Sequence, residues 1–170
     1  MKVWKYGDDI NTDMLFPGKY TYTCATDEEI IPHLLEDLDP EFAKKASKRD
    51  IILAGKNFGC GSSREQPVLG FRALGIEAII AVSFARIFYR AAINQGLILA
   101  ECPEAVNAYR EGDELIFSAP EGKIKIAGKE WKKLGLVLQF TWGELFRFSF
   151  DNRVDGLTGV VFVMLCKWRE

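Results

Sequence analysis

Two kinds of hydrophobic spacing divide the chain. Between residues 50 and 100, short unbroken apolar runs alternate with segments whose apolar residues recur at helical spacing. Asp50-Ile51-Ile52-Leu53-Ala54 reads as a buried strand that stops at Gly55, and Ala78–Val82 reads as a second. Ser83 stands as the predicted cap of an amphipathic helix, with Phe84, Ile87, Phe88, Ala91 and Ala92 along one face. Gly96 ends that helix, and Leu97–Ala100 follows as a third strand. Strand, helix, strand, helix, strand is the signature of α/β packing with parallel neighbours. From Asp113 to Trp131 the spacing switches to period two with turn signals between, which predicts antiparallel strands.

Upstream, Gly7–Asp13 is a polar, turn-rich loop whose Asp and Asn side chains satisfy nearby backbone groups. Asp27 to Lys48 is patterned as helix, with Asp27 as N-cap and Ile30, Ile31, Leu34, Leu35 and Leu38 on one face. Pro40 breaks it, leaving a turn or two over Glu41–Lys48. Residues 132–170 are apolar and aromatic without clean periodicity, and only Val160–Leu165 has the look of a strand. The chain therefore divides into a patterned unit, 1–131, and a divergent apolar tail, 132–170.

Composition narrows the function classes. The 170 residues are 48% hydrophobic and 27% charged, the mix of one globular domain. Lys+Arg of 22 against Asp+Glu of 24 leaves a net charge of −2, without the basic excess that nucleic-acid binding uses. The four cysteines, Cys24, Cys60, Cys102 and Cys166, form no CxxC pair, which argues against a zinc ribbon or a self-contained iron–sulfur ferredoxin. No secretory leader is evident at the N-terminus, and the longest apolar tract, Val160–Cys166, is far short of the roughly 20 residues a membrane span needs. A cytoplasmic protein with reduced thiols and no membrane contact is expected.

The candidate chemistry lies in the loop after the first buried strand, GKNFGCGSSREQ at 55–66. Gly59, Gly61, Ser62 and Ser63 let backbone approach a ligand closely. A helix starting near Ser62 or Ser63 would aim its free N–H groups into the loop, and Arg64 adds a cation able to grip a carboxylate with two hydrogen bonds. The segment fails the P-loop, because Ser62 follows Gly61 where that motif needs Lys, and fails the dinucleotide fingerprint and the nucleophile elbow, because Arg64 and Glu65 stand where those motifs need Gly. Its local pattern says anion site, with a glycine-rich capping turn as the competing interpretation. Cys60 beside Arg64 reads either as a reactive thiol or as a small loop residue. His33, the only histidine, falls in the predicted helix among apolar neighbours and reads as a packed or surface residue.

Three stretches carry a resemblance: GDDINTDMLFPGKY at 7–20, GKNFGCGSSREQ at 55–66 and SFARIFYRAAINQGL at 83–97. In order and spacing the chain resembles, over residues 1 to about 131, the small subunits of the aconitase-like hydro-lyases, the isopropylmalate isomerase and homoaconitase type. The resemblance implies an α/β fold, the swivelling β/β/α domain, with a mixed sheet flanked by helices. It implies a separate large subunit that carries a [4Fe–4S] cluster, no cofactor and no metal on this chain, and a small-molecule substrate. It implies Ser62 as the catalytic base, and Ser63 and Arg64 as binders of substrate carboxylate. Without its partner, uncovered apolar surface would favour a homodimer.

The same resemblance places substrate selection in the loop after the first motif, here Thr21, Tyr22 and Thr23. Tyr22 stands where homoaconitases often carry an Arg for a distal carboxylate, so the uncharged loop suits the alkyl group of isopropylmalate. The alternatives are homoaconitate or a methyl- or dimethylmalate as substrate, or a swivel domain that binds a dicarboxylate without catalysis. The tail departs from the family, whose members usually end with a Gly-Gly-Leu element near a final helix.

Overall fold

The computed structural model describes residues 1–132. The predicted alternation is present, extended by one strand at its start. β1 (Val3–Lys5), β2 (Ile51–Ala54), β3 (Ala78–Ala81) and β4 (Leu99–Glu101) form a parallel sheet in the order β1-β2-β3-β4. Ile51, Ile52, Leu53 and Ala54 lie opposite Ala78, Ile79, Ile80 and Ala81. All eight of those residues are fully buried, as a central parallel pair requires. Three further strands, β5 (Leu115–Ser118), β6 (Lys123–Ile126) and β7 (Lys129–Lys132), form the predicted antiparallel meander.

Side-chain alternation along β2 and β3 separates two cores. Ile52, Ala54, Ile79 and Ala81 face one way, into a core with Phe16, Phe42, Phe58, Phe71 and Phe88. Ile51, Leu53 and Ile80 face the other way and meet Leu115, Ile124 and Ile126 of the antiparallel sheet, with Ala105 and Val106 of α6 (Pro103–Ala108). The layers are thus antiparallel sheet, parallel sheet, helices: the expected β/β/α arrangement, with the two strand directions divided between two sheets. The crossovers from β2 to β3 and from β3 to β4 run through α4 (Gln66–Leu74) and α5 (Arg86–Gln95). Each ends at a left-handed glycine, Gly75 (φ +81°) and Gly96 (φ +73°), the usual device for closing a helix.

Several expectations are corrected. The helix predicted from Asp27 is only α2 (Asp27–Ile30), followed by a 3-10 turn over Ile31–His33. Its cap is Thr26, whose N–H donates to Glu29 Oε2 at 3.1 Å. Leu35 leaves the helix at φ +58° because its N–H donates to Leu15 O (2.9 Å). The apolar face is buried as expected at Ile30, Leu34 and Leu35, but through a tertiary tie rather than helical spacing. The residues after Pro40 shorten to α3 (Phe42–Lys45). Ser83 is not the cap of α5; Ala85 is, and the Ser83 hydroxyl accepts instead from the Asn57 N–H (2.9 Å). Ile87, placed on the apolar face by spacing, is 52% exposed. The third strand begins two residues later than its apolar run. The strand expected at Val160–Leu165 lies outside the described residues.

β1 and α6 were not anticipated. β1 is an edge strand with Lys residues around one buried Trp4, too short and polar for the pattern to register. Asp50, buried at 2% exposure, fixes it by accepting from Lys2 N (2.6 Å), Trp4 Nε1 (3.1 Å) and Ser47 N (3.0 Å). Asp50→Ala leaves three donors without their acceptor, one of them a buried indole. Thermal or urea unfolding is expected to show a loss of about 3 kcal/mol, since a buried group deprived of its partner carries its full desolvation penalty.

Candidate active site

The three sequence motifs meet at the carboxyl ends of β1, β2 and β3, where ligands bind in parallel α/β sheets. Backbone pairing does not stop with the strands. Gly55 N donates to Gly7 O (2.9 Å), Asp9 N to Lys56 O (2.8 Å), Gly59 N to Ile10 O (2.8 Å) and Thr12 N to Cys60 O (2.8 Å). On the other flank, Phe58 N donates to Ser83 O (3.0 Å) and Ala85 N to Phe58 O (2.9 Å). Loop 55–60 is therefore zipped between loop 7–12 and residues 83–85. Asn57 and Asp9, both at positive φ, are joined by Asn57 Nδ2 donating to Asp9 Oδ1 at 2.8 Å. Phe58 anchors the loop from beneath, edge-on to Phe84 and Phe88 with ring centroids at 6.1 and 5.2 Å.

Gly59 shows why this loop is glycine-rich. At φ +78° it presses on Phe88, and a Cβ there would overlap the ring. Gly61, at φ +95°, then turns the chain so that Ser62 and Ser63 stand exposed at its tip. The helix does not begin at these serines, as expected, but at Gln66, with Glu65 as its N-cap and Pro67 in the first turn. Proline suits that position because it lacks the N–H that would be unpaired there. The free N–H groups of α4 consequently open past the serines rather than at them.

Arg64 is held in place from the first motif. Its side chain is 14% exposed, and Nη1 pairs with Asp13 Oδ1 (2.7 Å) and donates to Phe16 O (3.1 Å). Gly18 leaves room for it, since a Cβ there would begin 3.1 Å from Nη2. Two residues on, Gln66 Nε2 donates to Thr21 O (3.1 Å), tying the expected substrate-selecting loop to the first turn of α4. Of that loop, Thr21 is half-buried, Thr23 is exposed and Tyr22 is 98% exposed. The structure thus brings Ser62, Ser63, Arg64 and Thr21–Thr23 to one edge.

Asp13, Gln66 and Thr12 were missed as participants, although all three lie inside or beside the quoted motifs. The one available signal was charge: Asp13 follows a polar loop and stands ready to pair with the arginine of the second motif. His33 is packed against Tyr20 (ring centroids 3.6 Å apart) and bonded to Glu36 (2.6 Å). That bond, with Lys19 behind it, holds the Glu36 carboxyl below its ordinary range. Cys60 is half-buried, its thiol donating to Asp9 O at 3.7 Å, which favours the role of loop residue. Beside the platform, Phe84, Arg86, Tyr89, Arg90 and Glu101 line a cavity of about 380 Å³ that the sequence did not suggest. Burial, with Glu101 beside it, pushes the Tyr89 phenol above its ordinary value.

No three His, Cys, Asp or Glu side chains among the described residues stand together as a metal-ligand set. The donor set of this region does not fit an iron–sulfur cluster. No helix among the described residues is long and apolar enough to cross a membrane.

Comparison with known proteins agrees with this geometry. The model of the aconitase C-terminal domain matches residues 8–105. A 3-isopropylmalate dehydratase small subunit from Heliobacterium modesticaldum is 52% identical over 123 residues, covering 72% of this chain and 74% of the relative. Another from Clostridium beijerinckii is 43% identical over 160 residues, covering 94% and 95%. The crystal structure of 3-isopropylmalate dehydratase (leuD) from Methanocaldococcus jannaschii superposes with a TM-score of 0.68 at 36% identity, over 83% of this chain and 82% of that one. The match over residues 8–105, with these identities and the shared fold, makes the chain a member of the aconitase C-terminal domain family, grouped with the 3-isopropylmalate dehydratase small subunits.

Proposed function

We propose that the chain is the small subunit of a cytoplasmic two-subunit hydro-lyase that interconverts 2-isopropylmalate and 3-isopropylmalate by dehydration and rehydration, a step of leucine biosynthesis. The observation that carries this reading is the coupling of the two loops. The Gln66–Thr21 bond and the Arg64 contacts with Asp13 and Phe16 join the Ser62–Arg64 turn to the uncharged loop around Tyr22. One part suits the reacting carbons and a carboxylate, the other an alkyl group, at a fixed spacing.

Ser62, as its alkoxide, takes the proton from the carbon beside the hydroxyl-bearing one; the C–H electrons form the double bond as the C–O bond breaks, the hydroxyl leaving as water with the proton and Lewis-acid help that the large subunit would supply, and rehydration runs these changes backwards. Ser63 and Arg64 hold the substrate carboxylate. Asp13 and Phe16 O hold Arg64 through Nη1 and so fix the orientation of its guanidinium. Serine is a weak base in water, so its alkoxide needs the Arg64 charge and a dry site. Both serines are exposed in this chain, and the water is excluded by a large subunit that closes over the platform. The [4Fe–4S] cluster belongs to that partner, and the chain purified alone is colourless and inactive.

Ser62→Ala is expected to leave folding and assembly intact and to lower turnover of the reconstituted pair by roughly 10²–10⁴-fold. Near-full kcat would remove the assignment. In Arg64→Lys an ammonium replaces the planar fork, so KM should rise as kcat falls; an unchanged KM would make Arg64 structural. Tyr22→Arg supplies a cation for a distal carboxylate and sets it unpaired against an isopropyl group. Its kcat/KM ratio for homoaconitate over isopropylmalate should rise more than about tenfold, the equivalent of about 1.4 kcal/mol. A change within about threefold would place Tyr22 away from the variable end of the substrate.

A further inference from the structure

Two buried side-chain oxygens among the described residues have no hydrogen-bond partner, Thr12 Oγ1 and Thr21 Oγ1. Both border the platform, one beneath the Ser62 turn and one in the substrate-selecting loop. Buried hydroxyls are nearly always paired, and exceptions gather where function overrides packing. Thr12 is the sharper case, because the whole residue is 2% exposed. Valine has the same shape and would fill the space without an unpaired hydroxyl, so packing alone does not account for threonine here.

The position of that hydroxyl is informative. Thr12 opens α1 (Thr12–Leu15), which Asn11 caps by accepting from Met14 N (2.9 Å). Its own N–H is fixed to Cys60 O at 2.8 Å, so its side chain is registered against the glycine-rich loop. Oγ1 lies 3.2 Å from the point where a side chain on Gly61 would begin. Gly61 lacks that side chain, sits at φ +95° and directly precedes Ser62. The next residue, Asp13, pairs with Arg64. One short turn therefore presents consecutive side chains to both ends of the Gly61–Arg64 segment, and only one of them is engaged.

We propose that Thr12 is a positioning residue for Ser62: in the closed complex its hydroxyl donates a hydrogen bond to the Ser62 oxygen and holds it as the base. This rests on the reading of Ser62 as base. Thr12 keeps its proton throughout, while Ser62 accepts the one that leaves the substrate carbon. A hydrogen bond donated to the charged form favours that form, so Thr12 lowers the pH at which Ser62 becomes competent. The rotation that aligns the two oxygens falls on Gly61, the residue able to absorb it.

The test uses the full chain reconstituted with its large subunit, comparing wild type, Thr12→Val, Thr12→Ser and Ser62→Ala. Thr12→Val is expected to assemble normally, to keep or raise the melting temperature of the chain, and to lower kcat about tenfold or more with KM within about twofold. The ascending limb of its kcat–pH profile should move to higher pH. Thr12→Ser, which restores the hydroxyl, should recover kcat to within about threefold of wild type and return the limb to its place. A Thr12→Val enzyme with kcat within about twofold of wild type, or with an unmoved limb, overturns the proposal. So does a fall in kcat that tracks a lowered melting temperature and is not rescued by serine. If Ser62→Ala also turns over normally, the reading of Ser62 itself falls; if only Thr12→Val does, the loss is confined to Thr12.

Discussion

The site depends on backbone pairing that continues beyond the ends of the strands. A loop at the edge of a parallel sheet is usually free to wander, because its N–H and C=O groups can satisfy themselves with water. Loop 55–60 is instead bonded on one flank to residues 7–12 and on the other to residues 83–85, in a parallel register that prolongs β1-β2-β3. Each of those bonds adds little by itself, on the order of 1 kcal/mol. Together they remove the freedom of the segment that leads into Ser62. The three motifs are therefore one structural object, and each stretch supplies the hydrogen-bond partners of another.

That arrangement assigns rigidity unevenly. Asp8 Oδ1 accepts from Lys56 N (2.7 Å), Gly55 and Gly59 admit no side chain, and Phe58 is clasped by two rings. From Gly61 to Ser63 the backbone leaves this clamp and the side chains face solvent. Order returns at Arg64, through Asp13 and Phe16. A short exposed turn between two fixed points suits the role proposed for Ser62, which is to meet a substrate at the face of a second protein.

Much of this was legible in the sequence, for reasons that can be named. The central strands are buried on both faces and so read as unbroken apolar runs, Ile51–Ala54 and Ala78–Ala81. The antiparallel meander alternates, Lys123-Ile124-Lys125-Ile126, because only one face is covered. What escaped was set by contacts distant in sequence. Leu35 spends its N–H on Leu15, which no helical periodicity encodes. β1 exists because Asp50 and β2 receive it. The start of α4 was misplaced because small polar residues cap a helix as readily as they build a turn, and Pro67 was the better marker. Ser62, Ser63 and Arg64 were visible as a group through their motif. Thr12 and Asp13 were visible only as turn formers, since their part is set by which residue the fold lays against them.

Tyr22 contributes almost nothing to the core: its side chain is 98% exposed, and the backbone beside it is held through Thr21 O, an atom every residue possesses. Mutational drift at that position is thus thermodynamically neutral. Natural proteins hold only a small margin of stability, and most routes to a new activity erode it. With this loop in the proposed role of selecting the acid, a lineage can explore new acids through the loop tip without first acquiring compensating changes elsewhere. The scaffold and the preference for one acid can evolve on separate clocks, so gene duplication followed by change in this loop is a low-barrier path to paralogues acting on related metabolites.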